Sequence, residues 1–131
     1  MTADLIAAAR AARLRAHAPY SNFAVGAAVR DEQGRVFGGC NVENVSYPQG
    51  WCAETSAIAA LVGAGGHRIT EVAVIGGGNG LVTPCGGCRQ KIREFAEGGV
   101  PIHVCGEDGT IRRSFTLDEL LPFSFGPDHL R

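Results

Sequence analysis

Along its 131 residues the chain alternates between helix-favouring and β-branched runs, in the order helix, hairpin, helix, strand, helix, strand, strand. That order specifies an α/β chain: a three-layer α/β/α sandwich with a central mixed five-stranded sheet, residues 1–131 forming a single domain. Two further observations support it. An apolar fraction of 45% is ample for one core, and the length leaves no room for a second. Turn-forming residues separate the runs at nearly every boundary.

Asp4 to Ala16 is rich in alanine, leucine and arginine, with Leu5, Ala8, Ala12 and Leu14 roughly on one side, and Thr2 is its candidate N-cap. His17-Ala18-Pro19-Tyr20-Ser21-Asn22 breaks the helix. Phe23 to Val29 reads as a strand, Asp31-Glu32-Gln33-Gly34 as a turn, and Arg35 to Val42 as the hairpin partner. The polar stretch from Asn41 to Gly50 is a loop placed to form a substrate wall. Cys52 to about Val62 is the second helix, closed by the glycine-rich Gly63-Ala64-Gly65-Gly66. Glu71 to Gly76 is a β-branched, central strand. Gly76-Gly77-Gly78-Asn79-Gly80 lacks the lysine and hydroxyl residue of a phosphate-binding loop and reads as a flexible connection. A helix from Cys85 to about Ala96, strands Ile102–Cys105 and Thr110–Phe115, a short helix from Leu117 to Leu121 and an apolar tail complete the chain.

Net charge is −1 with both signs mixed along the sequence, so no basic stripe exists to track a long nucleic acid. Asp4 stands where a signal peptide carries positive charge, and no apolar run has the length of a membrane span. The expectation is a cytoplasmic protein. In a reducing compartment its five cysteines read as metal ligands or buried thiols. Cys40 and Cys105, each within a strand, read as small buried side chains.

The other three thiols stand in Cys52-Ala53-Glu54 and Pro84-Cys85-Gly86-Gly87-Cys88. A Cys-x-x-Cys pair places two thiolates on one turn, where both reach a tetrahedral zinc at roughly 2.3 Å, and proline is tolerated at a helix start. Cys52 likewise leads into a helix-favouring run. Two helix N-termini, each with partial positive charge, then face one metal. Three thiols are too few for a closed structural site and suit an open one, with a fourth position for water. Glu54, leaning towards the helix start, hangs a carboxylate over that position and acts on the water as a proton carrier. A Cys-x-x-Cys pair alone is as often a redox pair. A non-catalytic zinc-stabilised binding module is the competing reading, with His103 or His67 as fourth ligand.

Asn41-Val42-Glu43-Asn44, Tyr47-Pro48, Cys52-Ala53-Glu54 and Pro84-Cys85-Gly86-Gly87-Cys88-Arg89-Gln90 together resemble the small cytidine deaminases. Tyr20 to Ala28 and Leu120 to Pro127 extend the resemblance over nearly the whole chain. It implies the cytidine deaminase-like fold, homotetramers with one zinc per subunit, and hydrolysis of cytidine and 2′-deoxycytidine to the uridines and ammonia in pyrimidine salvage. It also implies roles. Cys52, Cys85 and Cys88 become zinc ligands and Glu54 the catalytic proton carrier. Asn41 and Glu43 match the pair that holds the ribose hydroxyls, Phe23 and Phe125 the aromatics flanking the pyrimidine, and the Ala53 backbone N–H a contact to its 2-oxo group. A related deaminase acting on a modified cytosine nucleoside such as blasticidin is the alternative, although the Asn41 and Glu43 pair argues for a ribose. Thr55 stands where many such enzymes carry an arginine thought to soften the thiolates' charge, leaving Arg89, Lys91 or the helix termini to compensate.

Overall fold

In the computed structural model, which describes residues 2–131, helix α1 spans Thr2–Arg13 and leads to the hairpin strands β1, Gly26–Asp31, and β2, Val36–Cys40. Helix α2, Ala53–Gly63, precedes β3, Ile69–Ile75, and α3, Gly86–Phe95, precedes β4, Pro101–Cys105. Strand β5, Ile111–Thr116, and the short α4, Leu117–Leu120, follow. Single 3₁₀ turns lie at Tyr47–Gln49 and Pro127–His129.

The five strands form one mixed sheet in the order β2-β1-β3-β4-β5, with β3 and β4 parallel and the other pairs antiparallel. Side chains alternate between its faces along each strand, because successive Cβ atoms point to opposite sides. Ala27, Val29, Val72, Val74 and Ile102 pack with Ala57, Leu61 and Ile92 of α2 and α3. Ala28, Ala73 and Ile75 face the other way, onto Leu5 and Ala9 of α1. Helices on both faces give the expected sandwich, and each fully buried Leu or Ile side chain contributes about 1.5–3 kcal/mol. Two glycines let the helices come close. A Cβ on Gly39 would fall 2.7 Å from Ala53 O and nearer still to Ala57 N, and one on Gly26 would fall 2.7 Å from Arg13 N.

Gly26 pairs with both Cys40 and Ile75, so β2 and β3 end at the same edge of the sheet. The connections to α2 and α3 therefore leave side by side. That shared edge is where open α/β sheets place their sites.

Four boundaries depart from the sequence expectation for identifiable reasons. Strand β1 begins at Gly26, not Phe23, because the Asn41 side chain takes the place of a strand neighbour: its Nδ2 donates to Phe23 O at 2.8 Å and its Oδ1 accepts from Val25 N at 2.9 Å. Helix α1 stops at Arg13, short of Ala16, since His17 N turns away to Asn41 O at 3.0 Å. Thr2 does not cap α1 but lies within it, its hydroxyl donating to Glu71 Oε2 at 2.8 Å. Strand β3 starts earlier than expected, at Ile69, which pairs with Asp31 across a bulge.

Candidate active site

Cys52 is the N-cap of α2 and Cys85 the N-cap of α3, both with extended backbone and neither making a capping hydrogen bond. Their sulfurs are thus left for another partner. Cys88 occupies the third position of α3, one turn inward, so the Cys-x-x-Cys pair straddles the helix start as its spacing implied. Pro84, just outside the cap, is buried. The three Sγ atoms lie within 4.8 Å of one another, with Cys52 and Cys85 at 3.7 Å. A tetrahedral ion with 2.3 Å bonds would hold its sulfurs roughly 3.8 Å apart, so the donor set fits zinc. A third thiol arriving from α2 also argues against a simple redox pair.

Neither histidine serves as a fourth ligand. His103 is engaged on the sheet by Ser114 Oγ at 2.7 Å and Glu71 Oε2 at 2.8 Å. The metal-capable cluster among the described residues consists of the three cysteines alone, so an open position remains.

A cavity of about 170 Å³ adjoins the thiols, lined by Val25, Asn41, Cys52, Ala53, Glu54, Val82, Thr83 and Cys85. Glu54, only 4% exposed, is in the first turn of α2, where no other side chain hydrogen-bonds it among the described residues. Burial pushes its carboxyl pKa up, against the pull of its own backbone amide and of Lys91. A raised carboxyl of this kind suits a general acid-base role. Burial also raises Cys52, and raises Cys88 strongly, with the nearby Glu54 adding to the effect on Cys88. Cys85 goes the other way: burial opposes, but the nearby amide and the thiol of Cys88 outweigh it.

Ala53 is the first residue of α2, so its N–H has no acceptor within the helix, and the residue is buried and lines the cavity. Asn41 lines the same cavity while its amide ties the start of β1 to the end of β2, combining a capping role with a place at the site. Glu43 lies in a neighbouring hollow of about 320 Å³ with Tyr20, Ser21, Asn44, Tyr47 and Gly50. Its Oε1 accepts from Tyr20 N at 2.9 Å and Ser21 N at 3.1 Å, and its Oε2 accepts from the Ser21 hydroxyl. The Ser21 hydroxyl and amide hold its pKa below the usual carboxylate range, so it stays charged. Phe23 is not core but 42% exposed, beside Gly77, and is not among the residues that line the cavity. Phe125 is also exposed; its ring stacks on His129 at 5.1 Å and does not line its own chain's cavity.

Sequence reasoning missed Val82 and Thr83 as cavity walls, although they directly precede Pro84-Cys85. It also left Arg89 as a candidate for charge compensation, but its guanidinium makes no hydrogen bond to a cysteine sulfur among the described residues. The Arg89 guanidinium donates to Pro84 O at 2.7 Å, Leu120 O at 2.7 Å and Thr83 Oγ1 at 2.9 Å, bracing the loop before Cys85.

Residues 2–104 match the family model described as the cytidine and deoxycytidylate deaminase zinc-binding region. The chain belongs to this deaminase family. It is 40% identical over 126 residues to a cytidine deaminase of Sporosarcina psychrophila, covering 96% of this chain and 92% of that one. A cytidine deaminase of Mycobacterium tuberculosis is 44% identical over 115 residues, 88% of this chain and 82% of the relative. Among solved structures, the cytidine deaminase of Burkholderia pseudomallei superposes with a TM-score of 0.88 at 41% identity, covering 95% of this chain and 99% of that one. The deaminase fold and its zinc-binding region thus coincide here with the three-thiol cluster.

Proposed function

We propose that this chain hydrolyses the 4-amino group of cytidine and 2′-deoxycytidine, yielding uridine or 2′-deoxyuridine and ammonia. The observation that carries this reading is the buried Glu54 carboxylate, bonded by no other side chain among the described residues, in a cavity walled by Cys52 and Cys85. The relatives named above, cytidine deaminases over most of the chain's length, support the choice of substrate.

In this reading Cys52, Cys85 and Cys88 hold one zinc per subunit. When bound, zinc supplies Lewis-acid activation of a water molecule. Glu54 takes a proton from the attacking water and gives it to ring nitrogen N3 as the C4–O bond forms. It then carries the second water proton to the 4-amino group, which leaves as ammonia when the C4–N bond breaks. The Ala53 N–H holds the 2-oxo group, and Phe23 flanks the ring. Asn41 and the charged Glu43, the latter fixed by three donors, hold the ribose hydroxyls with their remaining hydrogen-bonding capacity. The burial of Ala53 and Glu54 keeps their interactions strong.

We further propose a single-domain, cytoplasmic homotetramer in which Phe125 packs on the pyrimidine bound by another copy. The support is an exposed apolar tail, with Phe125 58% and Phe123 fully exposed, held on the outside of α3 by Gln90 Nε2, which donates to Phe125 O at 2.8 Å. No helix among the described residues is long and apolar enough to cross a membrane.

Incubation with cytidine, 2′-deoxycytidine, cytosine and cytidine monophosphate, following loss of cytosine absorbance, tests the assignment. Turnover of both nucleosides is expected. Inertness towards both, with zinc bound, would contradict it.

A further inference from the structure

Three thiolates and one divalent cation sum to a charge of −1, and helix N-termini offset only part of it. Arg89, the nearest arginine in sequence, is spent on backbone carbonyls and Thr83. Cys88 has the greatest need of help, being 1% exposed while Cys52 and Cys85 reach solvent. The Thr55 hydroxyl lies 3.6 Å from Cys88 Sγ, and Lys91 Nζ lies 3.0 Å from Thr55 Oγ1.

An ammonium only donates, so Thr55 Oγ1 accepts from Lys91, which leaves its single proton available to donate to a Cys88 thiolate. The two helices are placed for this. Cys88 and Lys91 are three residues apart on one face of α3, and Thr55 is in the first turn of α2, the turn that presents Glu54. Thr55 is the hydrogen-bond partner of Lys91 among the described residues, and no carboxylate pairs with that ammonium.

We propose that Lys91, acting through the Thr55 hydroxyl, is a positioning residue that stabilises the Cys88 thiolate and thereby the retention and reactivity of the zinc site. The proposal rests on the zinc assignment above. Lys91 supplies a full charge and Thr55 transmits it as a hydrogen bond to the one sulfur that water does not reach. Charge-assisted bonds of this kind polarise the next donor in the chain. Without the relay the cluster loses the charge that favours three deprotonated thiols around the ion.

The test uses zinc-loaded, full-length wild type, Lys91→Met, Lys91→Arg, Thr55→Val and the Lys91→Met/Thr55→Val double variant, with circular dichroism to verify folding. Zinc retention is measured by competition with a chromophoric chelator, and kcat and KM for cytidine are measured alongside. Partners behind metal ligands typically contribute about 10–100-fold in affinity or activity. Lys91→Met is expected to hold zinc at least about 10-fold more weakly and to lose kcat with KM nearly unchanged, and Lys91→Arg to recover much of both. The double variant is expected to be no worse than the more impaired single variant, because both break one path. Wild-type zinc retention in Lys91→Met, or losses that multiply in the double variant, would overturn the relay. A zinc-loaded wild type inert towards cytidine would contradict the proposed function instead, and the chelator comparison would still decide the relay.

Discussion

The sulfurs of Cys52 and Cys85 lie 3.7 Å apart although 33 residues separate them in sequence. Each caps a helix, and the two helices follow strands that end opposite the same glycine, Gly26. The separation is that of two ligands on one tetrahedral ion. Freshly purified protein is therefore expected to contain one zinc per chain, to lose activity when a chelator removes it, and to regain activity on zinc addition. Full activity with well under one zinc per chain would refute the ligand set.

Glu43 is held by the amides of Tyr20 and Ser21 and by the Ser21 hydroxyl, which fixes its carboxylate at the wall of a hollow. A site built to bind hydroxyls leaves polar groups unpaired when they are missing, and rejects such analogues by roughly 10⁴-fold or more. Cytosine should thus be a very poor substrate beside cytidine. Glu43→Ala is expected to raise KM for cytidine more than it lowers kcat. Equal turnover of cytosine and cytidine by the wild type would remove the ribose assignment.

The element order and the paired helix starts were legible because they rest on local signals: β-branched runs, glycine-rich breaks and two short cysteine motifs. The strand order and the edge shared by β2 and β3 agree with that reading, since short connections and sheet geometry leave few alternatives. What could not be read locally was long-range side-chain traffic. Asn41 shortens β1 by bonding across the hairpin, Arg89 turns to a loop and to Leu120, and Lys91 reaches Thr55 on another helix. Each depends on where a flexible polar side chain finds an acceptor distant in sequence. Val82 and Thr83 went unnoticed because walls of a cavity carry no periodic or chemical signature.

Phe125 stacks on His129, away from its own chain's cavity, and a neighbouring copy could receive its exposed ring. Phe125→Ala is expected to weaken cytidine binding by about 1–3 kcal/mol, the usual loss for an aromatic stacked on a base, with zinc content unchanged. Mixing and reassembling Phe125→Ala subunits with Glu54→Gln subunits should restore activity, because some hybrid pockets combine an intact ring with an intact carboxylate. No gain over the separate variants, despite verified subunit exchange, would exclude a shared site.

Glu54 carries the central claim, a buried carboxylate over an open three-thiol metal site that moves protons without ligating. The most direct measurement is ammonia release from cytidine by zinc-loaded Glu54→Gln beside the wild type, with zinc content and circular dichroism checked in both. Glutamine keeps the shape and loses the proton transfer, a role that contributes on the order of 10²–10⁴-fold. The variant is expected to keep its zinc and its fold while kcat falls by at least about 10²-fold. A folded, zinc-replete Glu54→Gln enzyme releasing ammonia at near the wild-type rate would contradict the account.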